Sequence, residues 1–189
     1  MVFCPYCGET TLIVEKLPTA FHSENALVEN NGLNIVLILD NLRSAYNVGS
    51  IVRTCDAFGA MEIYFCGITP TLENPKVNKT ALGTENIIKT RKFNNCLDSI
   101  SRLKSKGYHV IGLETCSTAI PLNLFKTVDT KNIALVLGSE KTGIDPGILR
   151  ICDQVVSIPM HGIKESLNVS VACGIALYYF ANSVRINLK

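Results

Sequence analysis

The stretch "NIVLILDNLRSAYNVGSIVRTCDAFGAMEIYFC" (residues 34–66) decides the fold. Its first seven residues, 34–40, contain a continuous apolar run at 35–39 and predict a buried strand. Residues 48–60 repeat apolar side chains at helical spacing, and Gly59 near their end predicts a glycine C-cap. Residues 61–66 are mostly apolar again and predict a second strand. This order of strand, helix and strand is typical of an α/β fold with a mostly parallel sheet.

The same alternation continues along the chain and predicts an α/β domain whose mostly parallel sheet is flanked by helices. We expect this domain over residues 32–189, preceded by a short extension over residues 1–31. Residues 67–86 are predicted to form a long polar loop with a helical turn near 79–82. Further strands are predicted at 87–93 (a short edge strand), 108–114, 132–138 and 154–160, and further helices at 95–107, 145–152 and about 166–182.

The amino-acid composition predicts a folded protein without a membrane span, but it does not indicate a function. Of the 189 residues, 47% are hydrophobic and 18% are charged, which predicts a folded core rather than a disordered chain. No apolar run reaches the roughly 20 residues of a membrane span. The N-terminus lacks the basic and apolar regions of a secretory signal, so we expect a cytoplasmic protein.

The net charge of +2 does not by itself indicate a nucleic-acid-binding protein. Three local basic clusters lie at residues 74–79, 89–92 and 101–106. Each is interpreted as solvated surface when taken alone. Together they are a candidate face for binding phosphates.

The extension carries two cysteines at metal or redox spacing, Cys4 and Cys7 in "CPYCGE". A glutaredoxin-type redox pair would follow a strand, and no strand is predicted before Cys4. Half of a zinc ribbon would need further ligands, from His22 or from a neighbouring subunit. Zinc, redox chemistry and an inert remnant therefore stay open. The other six cysteines are predicted to be small buried hydrophobic residues.

Familiar nucleotide-binding fingerprints are missing from the sequence. No G-x-G-x-x-G motif follows a predicted strand. The stretch "GSEKTGID" (138–145) has the glycine spacing of a P-loop, but Ile144 stands where that loop needs its lysine. These two nucleotide-binding classes are therefore disfavoured.

Polar clusters that contain glycine or asparagine follow three predicted strands, at 41–53, at 138–143 and around 158–168. Ligands of open α/β sheets bind outside the carboxyl ends of the strands, so we expect these clusters to form one pocket. Asn47 and Gly49 are expected to mark a tight turn into a helix. Ordinary caps and turns are the alternative for each cluster alone.

Three segments carry a family resemblance: "LDNLRSAYNVGSIVRTCDAFGA", "ALVLGSEKTGI" and "IPMHGIKESLNVSVACGIALY". They resemble the three sequence motifs of the SpoU (TrmH-type) RNA ribose methyltransferases of the SPOUT superfamily, in the right order over about residues 32–182. The resemblance implies an α/β fold with a deep C-terminal trefoil knot. It also implies methyl transfer from S-adenosylmethionine to a ribose 2′-hydroxyl of tRNA or rRNA, a reaction for which no metal is expected.

The resemblance also assigns residues to a site. Arg53 would help to deprotonate the 2′-hydroxyl or would clamp an RNA phosphate, and Asn47 and Glu140 would tie the first two loops together. Glu140 could also pair with Arg53. Ser166 would begin the last helix and face the site, and Asn168 would orient the loop or the ribose. The cofactor pocket would consist of Leu137, Gly138, Ile158, Met160, Leu167 and Asn168.

Family members form homodimers through their first and last helices. The last helix here is apolar almost all round, which fits either a central core helix or a helix with a dimer interface on one face. The extension is short and nearly uncharged, so RNA capture would rely on the domain surface, on the dimer groove or on a second protein.

Two other classes of function are kept. One is a catalytically inactive RNA-binding protein of the same fold, against which the complete set of motif residues argues. The other is a small redox or zinc protein based on Cys4 and Cys7.

Overall fold

The computed structural model describes residues 2–3, 6–11, 33–126 and 131–186. The chain divides into two units, Met1–Asn30 and Asn31–Lys189. In the first unit, β1 (Val2–Phe3) pairs antiparallel with β2 (Thr10–Thr11). Cys7 lies between these strands with an exposed side chain, whereas Cys4 and His22 lie outside the described residues.

The second unit alternates strands and helices, as the sequence predicts. Two short 3₁₀ turns, Thr84–Asn86 and Leu122–Leu124, lie between the regular elements. The strands are β3 (Asn34–Asp40), β4 (Glu62–Cys66), β5 (Lys89–Phe93), β6 (His109–Leu113), β7 (Ile120–Pro121), β8 (Asn132–Leu137) and β9 (Gln154–Ser157). The helices are α1 (Ala45–Phe58), α2 (Pro75–Ala81), α3 (Cys96–Lys104), α4 (Pro146–Ile151) and α5 (Val169–Ile186).

The seven strands of this unit form one sheet in the order β5-β4-β3-β8-β6-β9-β7. Every neighbouring pair is parallel, which confirms the predicted sheet class, and β5 lies at an edge as expected. Leu137 of β8 pairs with Leu39 of β3 on one side and with Leu113 of β6 on the other. These three strands therefore end at the same level and present their following loops together.

Both faces of the sheet are covered, because side chains of a strand point alternately to opposite sides. Leu37 and Leu39 of β3 pack into a core layer with α1, α2 and α5. Val36 and Ile38 pack into the opposite layer with α3 and α4. A continuous apolar run such as 35–39 is thus the expected pattern of a central parallel strand.

Local signals fix the ends of α1. The hydroxyl of Ser44 accepts a hydrogen bond from the Asn47 backbone N–H at 3.3 Å, so Ser44 is the N-cap. Gly59 ends the helix with φ of 70°, which confirms the glycine C-cap predicted from the sequence.

Two expectations about the elements were wrong, and one strand was missed. Residues 67–86 contain a full helix, α2, which begins with Asn74 as N-cap and Pro75 in its first turn. The last helix begins at Val169 rather than at Ser166. The strand β7 pairs with β9 over only two residues and was not predicted.

The three basic clusters do not share one face. The cluster at 74–79 lies on α2, and the cluster at 101–106 begins on α3, and these helices cover opposite faces of the sheet. On the edge strand β5, Arg91 pairs with Glu62 at 2.6 Å. The expectation of a single phosphate-binding face built from these clusters is therefore wrong.

Within the described part of the chain, none of the helices combines the length and the apolar character that crossing a membrane requires.

Candidate functional site

A cleft of about 570 Å³ opens at the carboxyl ends of β8, β6 and β9. Loops that follow these strands, together with the first turns of α1 and α5, form its walls. Nine of the ten site residues expected from the sequence line this cleft, and their individual roles stay predictions. They are Asn47, Leu137, Gly138, Glu140, Ile158, Met160, Ser166, Leu167 and Asn168.

Asn47 reaches the cleft from the first turn of α1 and not, as was expected, from a loop. Asn47 and Gly49 do not form a turn, because both lie within α1. Gly49 is required where α2 crosses α1, since a Cβ at this position would lie 2.2 Å from the Val77 carbonyl oxygen. Because Ser44 caps the helix, the Asn47 side chain is available for contacts with the other loops.

Glu140 joins the second loop to the first. Its carboxylate accepts hydrogen bonds from the backbone N–H groups of Arg43 at 2.9 Å and Ser44 at 3.0 Å. It also accepts one from the Asn47 side-chain amide at 3.0 Å. The expected connection between Asn47 and Glu140 is thus confirmed.

Asn168 joins the third loop to the same network. Its side-chain amide nitrogen donates to the side-chain Oδ1 of Asn47 at 3.1 Å. Its own side-chain Oδ1 accepts from the Ser170 backbone N–H at 2.9 Å and from the Ser170 hydroxyl at 2.7 Å. Asn168 therefore caps α5, which corrects the expectation that Ser166 begins this helix, and it orients the third loop.

The environment of Glu140 favours its charged form. Burial alone would raise the pKa of this carboxyl group, but the hydrogen bonds from Arg43, Asn47 and Ser44 together lower the pKa below its ordinary value. Glu140 does not pair with Arg53, since the ion pairs among the described residues do not include these two side chains. The suggested pairing is therefore wrong.

The second loop itself is a tight reversal between two glycines. Ser139 and Gly143 exchange backbone hydrogen bonds of 3.1 and 2.8 Å. Gly143 has φ of 68°, a conformation that side chains with a Cβ disfavour. A Cβ on Gly138 would lie 2.2 Å from the Gly143 carbonyl carbon and the Ile144 nitrogen, so only glycine fits there.

The loop after β6 also lines the cleft, and the sequence reasoning missed it. Leu113, Glu114 and Thr115 lie at the end of this strand, between the loops that follow β8 and β9. The signal was an acidic residue, Glu114, at the end of the strand predicted at 108–114. It resembled the end of the strand because no glycine or asparagine follows it.

Arg53 is the one expected site residue that does not line the cleft. It lies on α1 six residues after Asn47, which is about 9 Å along the helix axis at roughly 1.5 Å per residue. Its side chain is exposed. Arg53 therefore lies beyond the residues that line the cleft.

The cysteines outside the extension do not form a metal site. Cys55, Cys66, Cys96 and Cys173 are buried, as expected, whereas Cys116 and Cys152 are half-buried. Among the described residues, no group of three or more His, Cys, Asp or Glu side chains is arranged to hold a metal ion.

The fold and the cleft define an α/β protein whose ligand site lies at the carboxyl ends of a parallel sheet. The sequence model of the SpoU rRNA methylase family matches residues 34–178. The chain therefore belongs to this family.

Curated relatives support the same conclusion. The tRNA (guanosine(18)-2′-O)-methyltransferase of Aquifex aeolicus is 32% identical over 154 residues, which cover 80% of this chain and 71% of the relative. The 23S rRNA (guanosine-2′-O-)-methyltransferase RlmB of Coxiella burnetii is 35% identical over 146 residues, which cover 76% of this chain and 56% of the relative. The chain thus spans only about half the length of some relatives.

Solved structures share the fold. The TrmH/SpoU tRNA-modifying enzyme of A. aeolicus superimposes with a TM-score of 0.72 at 29% identity, covering 82% of this chain and 77% of that structure. An AdoMet-bound rRNA methyltransferase from Sinorhizobium meliloti gives a TM-score of 0.72 at 26% identity, covering 82% and 57%.

Proposed function

We propose that this chain transfers a methyl group from S-adenosylmethionine to the ribose 2′-hydroxyl of a nucleotide in tRNA or rRNA. The observation that carries the proposal is the hydrogen-bonded chain Glu140–Asn47–Asn168. It holds three separate loops around one cleft. The relatives named as RNA 2′-O-methyltransferases support the reaction class.

The residues of the cleft fit the cofactor. Its volume of about 570 Å³ lies within the range of about 300–1,000 Å³ that is usual for small-ligand pockets. Leu137, Ile158 and Leu167 provide apolar walls for an adenosine group. Gly138 lets the backbone approach a ligand closely, and the loop peptides offer N–H and C=O groups to its polar atoms.

When bound, S-adenosylmethionine supplies a methyl group on a positively charged sulfur. The three loops would align the incoming ribose hydroxyl with this group, and alignment alone provides much of the rate in a displacement reaction. Ser166 lines the cleft and does not cap α5, and its hydroxyl makes no hydrogen bond to the described residues. We therefore assign Ser166 to the ribose, and Asn168 to holding the loop.

Arg53 would act on the RNA rather than on the cofactor. A guanidinium group stays protonated near neutral pH, which makes it a poor base and a good ligand for phosphate. Its exposed position on α1, outside the cleft, suits a clamp on the phosphate beside the target ribose. From there its charge would also stabilise the negative charge that develops on the 2′-oxygen as the hydroxyl proton passes to solvent water.

A homodimer is proposed from an exposed apolar stripe on α5. Val171, Ile175 and Tyr178 recur at helical spacing and are 50%, 39% and 61% exposed. The opposite side of α5 is buried against the core, so the helix is not a central core helix. A second copy that covers this stripe would explain its composition. Light scattering of the purified protein should give twice the chain mass, and a monomer would exclude this arrangement.

The remaining assignments follow from the same proposal. Structured RNA is the expected partner, and the cytoplasm, where such RNA is modified, is the expected location. The division into an extension (1–31) and a catalytic domain (32–189) is retained. The zinc interpretation of Cys4 and Cys7 is tested by metal analysis of the purified chain.

Calorimetry separates this enzyme from the inactive alternative. The proposed enzyme binds S-adenosylmethionine, whereas an inactive RNA-binding relative shows no heat of binding. Mapping of ribose methylation in total RNA, with and without the gene, then identifies the substrate. The loss of one 2′-O-methyl mark without the gene supports the proposal, and unchanged marks contradict it.

A further inference from the structure

Glu114 occupies the centre of the cleft floor. β6 lies between β8 and β9 in the sheet, so the residue after β6 is flanked by the ends of both strands. Leu113 pairs with Leu137 of β8, which places Glu114 beside Gly138. On the other side, the Glu114 backbone N–H donates to the Val156 carbonyl oxygen at 3.0 Å.

The Glu114 side chain also contacts the tight second loop. One carboxylate oxygen accepts from the Ile144 backbone N–H, and the other accepts from the Thr115 backbone N–H, both at 2.8 Å. A Cβ on Gly143 would lie 2.2 Å from the Glu114 carboxylate oxygen, so loop and carboxylate are in close contact. Glu114 is half-buried in this position.

Each oxygen of Glu114 accepts one N–H and keeps acceptor capacity towards the cleft. The neighbouring carboxylate of Glu140 differs, because it is bound by three donors from the first loop. The side chains that line the cleft include three carboxylates, on Glu114, Glu140 and Glu165, against one ammonium group, on Lys141. The cleft is therefore electronegative.

We propose that Glu114 makes the cleft selective for charge, favouring cationic S-adenosylmethionine over the neutral product S-adenosylhomocysteine. This inference rests on the proposed function. S-adenosylmethionine carries a sulfonium, an ammonium and a carboxylate group, for a net charge of +1. Methyl transfer breaks the carbon–sulfur bond, and the electron pair stays on sulfur, so the product is a thioether of net charge zero. The attraction of Glu114 for the donor is thus weakened for the spent product, which promotes its release.

Two variants at this position separate charge from geometry. Glu114→Gln removes the charge at the same side-chain length, but its amide nitrogen can no longer accept one of the two backbone N–H groups. Because that loss acts on both ligands, the charge effect is read from the ratio of the dissociation constants (product over donor), which we expect to fall about fivefold, the upper range for partly exposed charge pairs. Glu114→Asp keeps the charge but shortens the side chain. We expect it to weaken both ligands equally and to leave the ratio unchanged within about twofold.

Calorimetric titrations of each full-length variant with S-adenosylmethionine and with S-adenosylhomocysteine measure this ratio. Glu85→Gln is the matched control, because the half-buried Glu85 also accepts a backbone N–H, from Gly83 at 2.8 Å, and does not line the cleft. We expect its ratio to equal that of the wild type.

The outcomes distinguish a failure of the role assigned to Glu114 from a failure of the proposed methyltransferase function. A Glu114→Gln variant whose ratio matches the wild type, or that weakens both ligands to the same degree, would overturn the selective role of Glu114. A wild-type protein that binds neither ligand would instead overturn the proposed function.

Discussion

The substitution Asn47→Ala removes the side chain that connects all three loops of the cleft. It deletes the hydrogen bond to Glu140 at 3.0 Å and the one from Asn168 at 3.1 Å. Such bonds contribute about 0.5–1.5 kcal/mol each, and somewhat more with a charged partner. Solvent exposure of Glu140 and Asn168 reduces this, so we expect a combined loss of about 1–2 kcal/mol in loop closure.

This loss should appear in cofactor binding more than in folding. If the closed loops are required for binding, the dissociation constant of S-adenosylmethionine rises about five- to thirtyfold. The higher helix propensity of alanine offsets about 0.5 kcal/mol of the folding cost, so the melting temperature should fall by only about 2–4 °C. Titration calorimetry and thermal denaturation measure the two quantities.

A matched control is Asn86→Ala, which removes one weak exposed hydrogen bond, to the Gly83 carbonyl at 3.4 Å, away from the cleft. It should leave cofactor affinity unchanged. A cofactor affinity of Asn47→Ala within about twofold of the wild type would refute the idea that these loops close as a unit.

Three further outcomes are expected. Arg53→Ala should abolish methyl transfer and leave the dissociation constant of S-adenosylmethionine nearly unchanged, because Arg53 lies outside the cleft; a loss of cofactor binding in calorimetry would contradict its assignment to RNA. Gly138→Ala places a Cβ 2.2 Å from Gly143 backbone atoms. We expect the free energy of unfolding, measured by urea denaturation, to fall by about 1–3 kcal/mol and cofactor binding to weaken. A variant as stable as the wild type would show that the loop adapts to the extra methyl group. Because its pKa is lowered, Glu140 stabilises the fold at pH values above its ordinary pKa of 4.5, and this contribution is lost as the pH falls through the folded-state pKa. The difference in the free energy of unfolding between wild type and Glu140→Gln should therefore shrink from about pH 7 to about pH 3. A difference that stays constant with pH would contradict the lowered pKa.

The strands of the sheet could be predicted from the sequence, because burial on both faces of the sheet requires continuous apolar runs. The run at 35–39 has apolar side chains in both core layers, and the same holds for β8. The strand order was not accessible in this way. β7 pairs through only two residues, and the position of β9 between β6 and β7 depends on long-range contacts. A C-terminal knot is implied by the family resemblance and stays a prediction, because it has no local signal in the sequence.

The composition of the site was also largely predictable, because its residues follow strand ends in recognisable motifs. The helix start was not, since Ser166 and Asn168 are both good N-cap residues. The hydrogen bond from the Ser170 backbone N–H to the Asn168 side chain shows that Asn168 is the cap. The bond from Asn168 to Asn47, 121 residues away in the sequence, depends on the folded structure and leaves no local signal. Glu114 was missed for a related reason: a single acidic residue after a strand has no meaning until β6 is placed between β8 and β9.

The most direct test of the central claim is methyl transfer in a purified system. Full-length protein is incubated with transfer RNA or ribosomal RNA and methyl-labelled S-adenosylmethionine, and the RNA is then hydrolysed with alkali. A ribose that carries a 2′-O-methyl group resists this cleavage, so we predict that the label appears in alkali-resistant dinucleotides. Label in alkali-sensitive mononucleotides would place the methyl group on a base, and this result would contradict the account.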